Sequence, residues 1–229
     1  MHDYKPLEKT IGVTFHNQDL LMQALVHRSY LNENPSFPLD HNERLEFLGD
    51  AVLELTVTEY LFRTYPNPEG ELTNWRAALV NAKMLAKLAK EIDIESFLLL
   101  SRGEAKDRNS KARDYILANA FEALIGAIYL DGGYDTAKKF VEKFVLPQLP
   151  NILSNKLYLD PKSAFQESAQ EKMGVTPHYE VIEETGPDHN KKFVVAIMVG
   201  TEQIATGEGS SKQEAQEQAA RAGLEAKGW

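Results

Sequence analysis

A mainly α domain built as a helical bundle, followed by a small α+β domain of α-β-β-β-α order, is the fold class that this 229-residue sequence predicts. Two observations carry it. Between Asn17 and Leu149, apolar residues recur at spacings of three and four in segment after segment, separated by Pro- and Gly-containing breaks. After Leu159 the period changes. One short helical segment, three alternating or apolar runs and an Ala-rich helix fit within about 70 residues, which suits helices on one face of an antiparallel sheet.

Taken in order, Asn17 to Leu31 predicts a helix capped by Asn17, with Leu20, Leu21, Ala24, Leu25 and Tyr30 for the core. His27, at its end, is assigned to packing or hydrogen bonding. Asn32 to Pro38 holds two prolines and is a loop, and Asp40 with Glu43 forms a capping box for the next helix, which runs to about Tyr65. Pro66 to Gly70 break that helix, with Glu69 inside the break. Thr73 caps a further helix that uses Trp75, Leu79, Met84, Leu85 and Leu88. Ser101 to Arg113 is a basic loop, and Ala112 to Leu130 a helix stopped by Asp131-Gly132-Gly133. Asp135 to about Leu149 is amphipathic, and Pro150 to Leu159 is a linker, so the domains divide as 1–150, 151–159 and 160–229. In the second, Asp160 and Pro161 start a helix ending at Gly174. The strands are His178 to Glu184, Lys191 to Val199 and Glu202 to Glu208, and Ser211 opens the last helix.

The helix starting near His41 carries the most chemistry. Leu45, Leu48, Val52 and Leu55 make an apolar face, and beside it Glu46, Asp50 and Glu54 follow at i, i+4 and i+8, with Glu43 one turn earlier. Each like-charged i, i+4 pair costs a few tenths of a kcal/mol. A solvated acidic face is the plainer explanation, but the flanking apolar residues leave little room for one. A site for a hard, oxygen-ligated cation is favoured instead. Asn119 and Glu122, at i and i+3, repeat this pattern of polar groups edging an apolar helix.

A formal charge of -9 excludes a wholesale basic nucleic-acid binder. Residues 1–159 carry 18 Lys+Arg against 22 Asp+Glu, and 160–229 carry 7 against 12, so any polyanion must be met by local basic patches or bridging metal. Arg102, Lys106, Arg108, Lys111 and Arg113 form the densest such patch. Without cysteine there are no disulfides or thiolate zinc sites. No signal segment or apolar run of membrane-spanning length is apparent, so a cytoplasmic protein without membrane association is expected.

Asn42 to Leu53 (NERLEFLGDAVL) resembles the signature of the ribonuclease III family. Glu122 to Gly133 (EALIGAIYLDGG) is similar to the second helix motif of that family's nuclease domain, and PKSAFQESAQ, GPDHNKKF and GEGSSKQEAQEQAA resemble a double-stranded-RNA-binding domain. The resemblance implies a dimeric, magnesium-dependent endonuclease, with manganese as a substitute, that cleaves double-stranded RNA and processes rRNA and mRNA precursors. It carries metal binding and catalysis over to Glu46, Asp50, Asn119 and Glu122, further cleft acids to Glu43 and Glu69, and a dimer-interface aromatic to Phe47. For RNA contact it implies Gln166, Gln170, His189, Lys191, Lys192, Ser211 and Lys212. Two departures stand out. The family usually has Asp where this chain has Asn119, which supplies an oxygen ligand but no negative charge. That leaves a duplex-binding protein without cleavage as the alternative, with Asp114 a candidate for compensation. The last helix also opens with one lysine, Lys212, where the family usually has several.

Overall fold

The computed structural model describes residues 3–107, 110–187 and 191–229, which form two compact units, Met1–Tyr158 and Leu159–Trp229. Arg108 and His189 lie outside the described residues.

In the first unit, α1 (Lys5–Ile11) contributes Leu7 and Ile11 to the core. The segment expected as one helix over 17–31 is two, α2 (Gln18–Ala24) and α3 (Arg28–Glu33). Asn17 does cap α2, accepting from the Asp19 amide. The break arises because Val26 leaves the helix to bridge Leu99, with the His27 amide donating to the Leu99 carbonyl. His27 then caps α3 through Nδ1, which accepts from the Ser29 amide.

The acidic helix, α4 (Glu43–Thr64), starts at Asn42 without a side-chain cap, so the expected Asp40–Glu43 box is absent. Asn42 is buried and donates its amide to the Ala24 carbonyl. The buried face of α4 is Leu45, Gly49, Val52, Leu53, Thr56, Val57 and Leu61. Leu55, expected inside, is exposed together with Phe47 and Phe62. The helix expected to be capped by Thr73 begins earlier, as α5 (Glu69–Val80), and ends at Asn81, whose side chain caps α6 (Ala82–Glu91). Thr73 lies inside α5 and donates to the Glu69 carboxylate.

Part of the basic loop forms α7 (Arg102–Lys106). The central element, α8 (Lys111–Phe144), is two helices that meet at the expected stop. Only Gly133, at φ +76°, leaves helical geometry, and the two expected helices lie on either side of that kink. Asp131 instead ties the kink to the start of α2, accepting from the amides of His16 and Asn17. By length and composition α8 is apolar enough to cross a bilayer, but Leu117, Phe121, Leu124, Ile125 and Ile128 are fully buried in the bundle core. The stretch expected as a linker is largely structured: α9 (Leu149–Ser154) buries Leu149 and Ile152, and Tyr158 meets Trp75 edge-on at 6.1 Å.

The second unit follows its expected order closely. It comprises α10 (Pro161–Met173), β1 (His178–Thr185), β2 (Lys192–Val199), β3 (Glu202–Gly209) and α11 (Lys212–Lys227), with an antiparallel sheet of order β1-β2-β3. Asp160 caps α10, Gly174 ends it in the left-handed region, and Ser211 caps α11. The odd-numbered β2 residues Phe193, Val195, Ile197 and Val199 are buried, together with Phe165, Ala215 and Ala219 from the helices. Close helix–sheet contact requires Gly207, where a Cβ would meet the backbone of α11 at Ala215 and Ala219.

Candidate active site and RNA-binding face

The site in the first unit arises where α4 crosses α8. A Cβ on Gly49 would collide with the Glu122 carbonyl, and one on Gly126 would collide with that of Leu45. These two glycines let the helices touch backbone to backbone, which carries the polar edge of α4 onto that of α8. Sequence reading passed over them. Their signal was a lone Gly inside each of two strongly apolar helices, a pattern that often has a packing cause.

At the crossing, Glu46 and Asp50 from α4 meet Asn119 and Glu122 from α8. The Asn119 side chain hydrogen-bonds Glu46, and because a carboxylate only accepts, the amide nitrogen is the donor. Burial first, and then the charges of Asp50 and Glu46, push the Glu122 carboxyl up to about 8. Burial likewise raises Glu46, with Glu43 and Asp50 adding to it and the Asn119 hydrogen bond opposing it. Among the described residues, no Lys or Arg forms an ion pair with Glu46, Asp50 or Glu122. Nor do three Asp, Glu or His side chains already converge as a closed metal cage. Three carboxylates and an amide oxygen without a cationic partner fit a hard cation that keeps several of its own waters, since such an ion does not need a cage made only of protein ligands.

The remaining expected acids divide. Glu43 stays near the cluster, because it influences Glu46, but it also faces Arg28 at 3.7 Å and His41 at 3.8 Å. Glu54 leaves the acidic stripe to pair with Arg76 at 3.6 Å. Glu69 is not brought to the quartet within this chain. It borders a groove of about 410 Å³ with Thr58, Leu61 and Phe62, two to three turns beyond Asp50 on α4. Asp114 does not compensate for Asn119, being paired with Lys90 at 2.7 Å. Arg113, assigned from sequence to the basic patch, is buried and paired with Glu95 at 2.9 Å. Arg102, Lys106 and Lys111 are exposed. Phe47 is 82% exposed, beside a groove of about 650 Å³ lined by Leu20, Leu45, Leu48 and Leu130.

In the second unit, Gln166 is exposed on α10, and Gln170 donates to the Thr176 hydroxyl. Lys191 and Lys212 converge on Glu184, at 2.8 and 3.9 Å, next to the α11 N-terminus that Ser211 caps. Lys192 is separated from them. Strand alternation sends it with Val194 to the sheet face opposite the helices, where it pairs with Glu208 at 2.5 Å.

Comparison with known proteins agrees with this division. Residues 17–149 match the family model described as ribonuclease-III-like, and residues 161–227 match the double-stranded RNA binding motif. The chain is 45% identical over 227 residues to Ribonuclease 3 of Sulfurovum sp., covering 99% of both chains. It is 43% identical over 222 residues to Ribonuclease 3 of Bacillus cereus, covering 96% of this chain and 90% of the relative. Among solved structures, a nuclease domain of ribonuclease III from Campylobacter jejuni, described for flexibility in a region involved in dimer formation, matches with a TM-score of 0.58 at 40% identity. That match covers 65% of this chain and 99% of the other. Fold and site thus define an endoribonuclease with an appended RNA-binding module. The chain belongs to the ribonuclease III family.

Proposed function

We propose that this protein is a divalent-metal-dependent endonuclease for double-stranded RNA, with magnesium as the working ion and manganese a substitute. The observation that carries this reading is the crowding of Glu46, Asp50 and Glu122 at the α4–α8 crossing without a cationic partner among the described residues, so that only protonation of Glu122 or a bound cation relieves it. Glu46, Asp50 and Glu122 supply carboxylate oxygens and Asn119 its amide oxygen. A bound magnesium ion would lower the pKa of its water and stabilise charge on the phosphate. Glu122, holding a proton near neutrality in the metal-free protein, would release it when the cation is bound. The α+β unit would hold the duplex by its A-form shape through Gln166, Gln170, Lys191 and Lys212. Structured rRNA and mRNA precursors in the cytoplasm are the substrates this reading implies.

A homodimer is part of the proposal. Phe47, Leu55 and Phe62 leave an apolar stripe exposed along α4, and the Phe47 knob lies beside its own groove, a self-complementary arrangement suited to a two-fold interface. A dimer would also let Glu69 of one subunit approach the quartet of the other.

Cleavage of a perfect RNA duplex in magnesium or manganese, lost in Glu122→Gln, tests the function; cleavage without metal would overturn it. Asn119 favours a second reading, a duplex-binding protein that does not cut. In that case wild type stays inactive even in manganese while Asn119→Asp cleaves. Comparable rates for the two forms would make Asn119 a working ligand.

A further inference from the structure

Among the described residues of α8, Tyr115 stands out as a large side chain left 61% exposed, whereas its neighbours Ile116 and Leu117 are buried. Its place on the helix is specific. At 3.6 residues per turn, Tyr115 falls between the directions of Asn119 and Glu122, roughly one turn before Asn119. Asp114, on the neighbouring line, pairs with Lys90, so the side chain that continues the Asn119–Glu122 stripe toward the helix N-terminus is the tyrosine. Lys111 follows one turn further along the same stripe and is exposed, and Arg102 and Lys106 are exposed on the element just before. Core packing gives no reason for a large aromatic ring here. An RNA strand presenting a phosphate to Asn119 and Glu122, and neighbouring phosphates to the bases upstream, would run over it.

We infer that Tyr115 is a substrate contact that seats the ribose next to the scissile phosphate, its ring against the sugar and its phenol on the 2′-hydroxyl. The inference rests on the reading of the quartet as an RNA-cleaving site and adds a ribose-recognition element to it. A phenol is both donor and acceptor, as is the 2′-hydroxyl, and that hydroxyl is what separates RNA from DNA at a given position. Because the ring is exposed, Tyr115→Phe removes one hydroxyl without disturbing the core.

The test is a cycle between this hydroxyl and the ribose. RNA duplexes carrying single 2′-deoxy substitutions across the bound region are titrated against the full-length protein, wild type and Tyr115→Phe, in calcium, with affinity as the readout. At one ribose, the 2′-deoxy change is expected to weaken wild-type binding about two- to twelvefold, as for one hydrogen bond, and to cost Tyr115→Phe nothing further. The same loss in both proteins at every position, or wild-type affinity for Tyr115→Phe, overturns the inference while leaving the nuclease reading intact. Failure of the wild-type protein to bind any RNA duplex overturns both.

Discussion

Between α4 and α8, Glu46, Asp50 and Glu122 crowd together without an ion pair among the described residues, whereas in the α+β unit Lys191 and Lys212 share Glu184, and Lys192 has Glu208. Both units use glycine for close contact, Gly49 and Gly126 between helices and Gly207 between sheet and helix. They differ in what that closeness accomplishes. In the first unit it forces like charges together, with Glu46 and Glu122 half-buried where water screens them poorly and Asp50 at the exposed rim. In the second it builds an apolar core and leaves the charges at an exposed rim, where they neutralise one another. The first site is therefore strained when its carboxylates are all ionised, and the proposed function has a cation relieve that strain. For the second to meet phosphate through its lysines, as proposed, it must give up existing ion pairs.

The largest effect should come from breaking the helix crossing. Gly49→Val drives a branched side chain into the Glu122 backbone, and the expected loss is about 3–5 kcal/mol from the helical unit alone. Thermal unfolding should show that unit melting early or failing to fold while the α+β unit is unchanged; a single unshifted transition would remove the account of the crossing.

Next in size is the effect of pH on the metal-free protein. Glu122 has a folded-state pKa of about 8 against an ordinary value of 4.5, so the folded state binds its proton more tightly than the unfolded chain does. The sign follows. Stability from this group is full below about pH 4.5 and is lost as pH rises toward 8, and the upward shift of Glu46 acts in the same direction. In EDTA, the melting temperature of the helical unit should fall over that range, Glu122→Gln should remove most of the fall, and magnesium should restore the wild type at the alkaline end. A flat wild-type profile would mean that the carboxylates do not strain one another.

Much of this contrast was legible in the sequence, for physical reasons that differ between the units. The α10 boundaries could be read from Asp160, Pro161 and Gly174 because caps act locally, and the buried face of β2 followed from alternation. The acidic stripe on α4 and the Asn119–Glu122 pair were legible because i, i+4 and i, i+3 spacing places side chains on one edge whatever the helix packs against, whereas joining Glu46 and Asp50, and not Glu54, to that pair came from the resemblance. What escaped depended on tertiary partners. The bridge from Val26 to Leu99 splits a helix that local propensity would continue, and Leu55 shares its spacing with the core yet faces outward. Arg113 is indistinguishable in sequence from a phosphate-binding arginine until Glu95 is found beside it in a buried setting. Lys192 differs from Lys191 only by the strand pleat.

A smaller effect separates the two possible meanings of Asn119. Its amide donates to Glu46, so Asn119→Asp replaces a stabilising donor with a fourth negative charge. The metal-free variant should melt about 1–2 kcal/mol less stable near pH 8, from a lost charge-assisted hydrogen bond plus repulsion, and should gain more from magnesium than the wild type does. Calorimetric titration with magnesium checks the second half. Equal affinity in both proteins would mean that position 119 does not face the ion.

The smallest expected effect lies on the other side of the comparison. Glu184 holds Lys191 and Lys212 next to the Ser211-capped start of α11, and these pairs are exposed, so each is weak and screened by salt. Glu184→Gln removes the competing carboxylate while keeping its size. Neither lysine then has to surrender Glu184 to meet phosphate, and the repulsion between this carboxylate and an RNA backbone is removed as well. Duplex affinity should rise roughly two- to fivefold at low ionic strength, the dependence of log affinity on log salt should steepen, and the gain should vanish at high salt. Lys192, on the opposite sheet face, supplies the control: Glu208→Gln releases a lysine in the same way but should leave duplex affinity nearly unchanged. Equal gains from Glu184→Gln and Glu208→Gln would show that only net charge matters, and that the strand pleat does not sort these lysines into RNA-facing and solvent-facing sets.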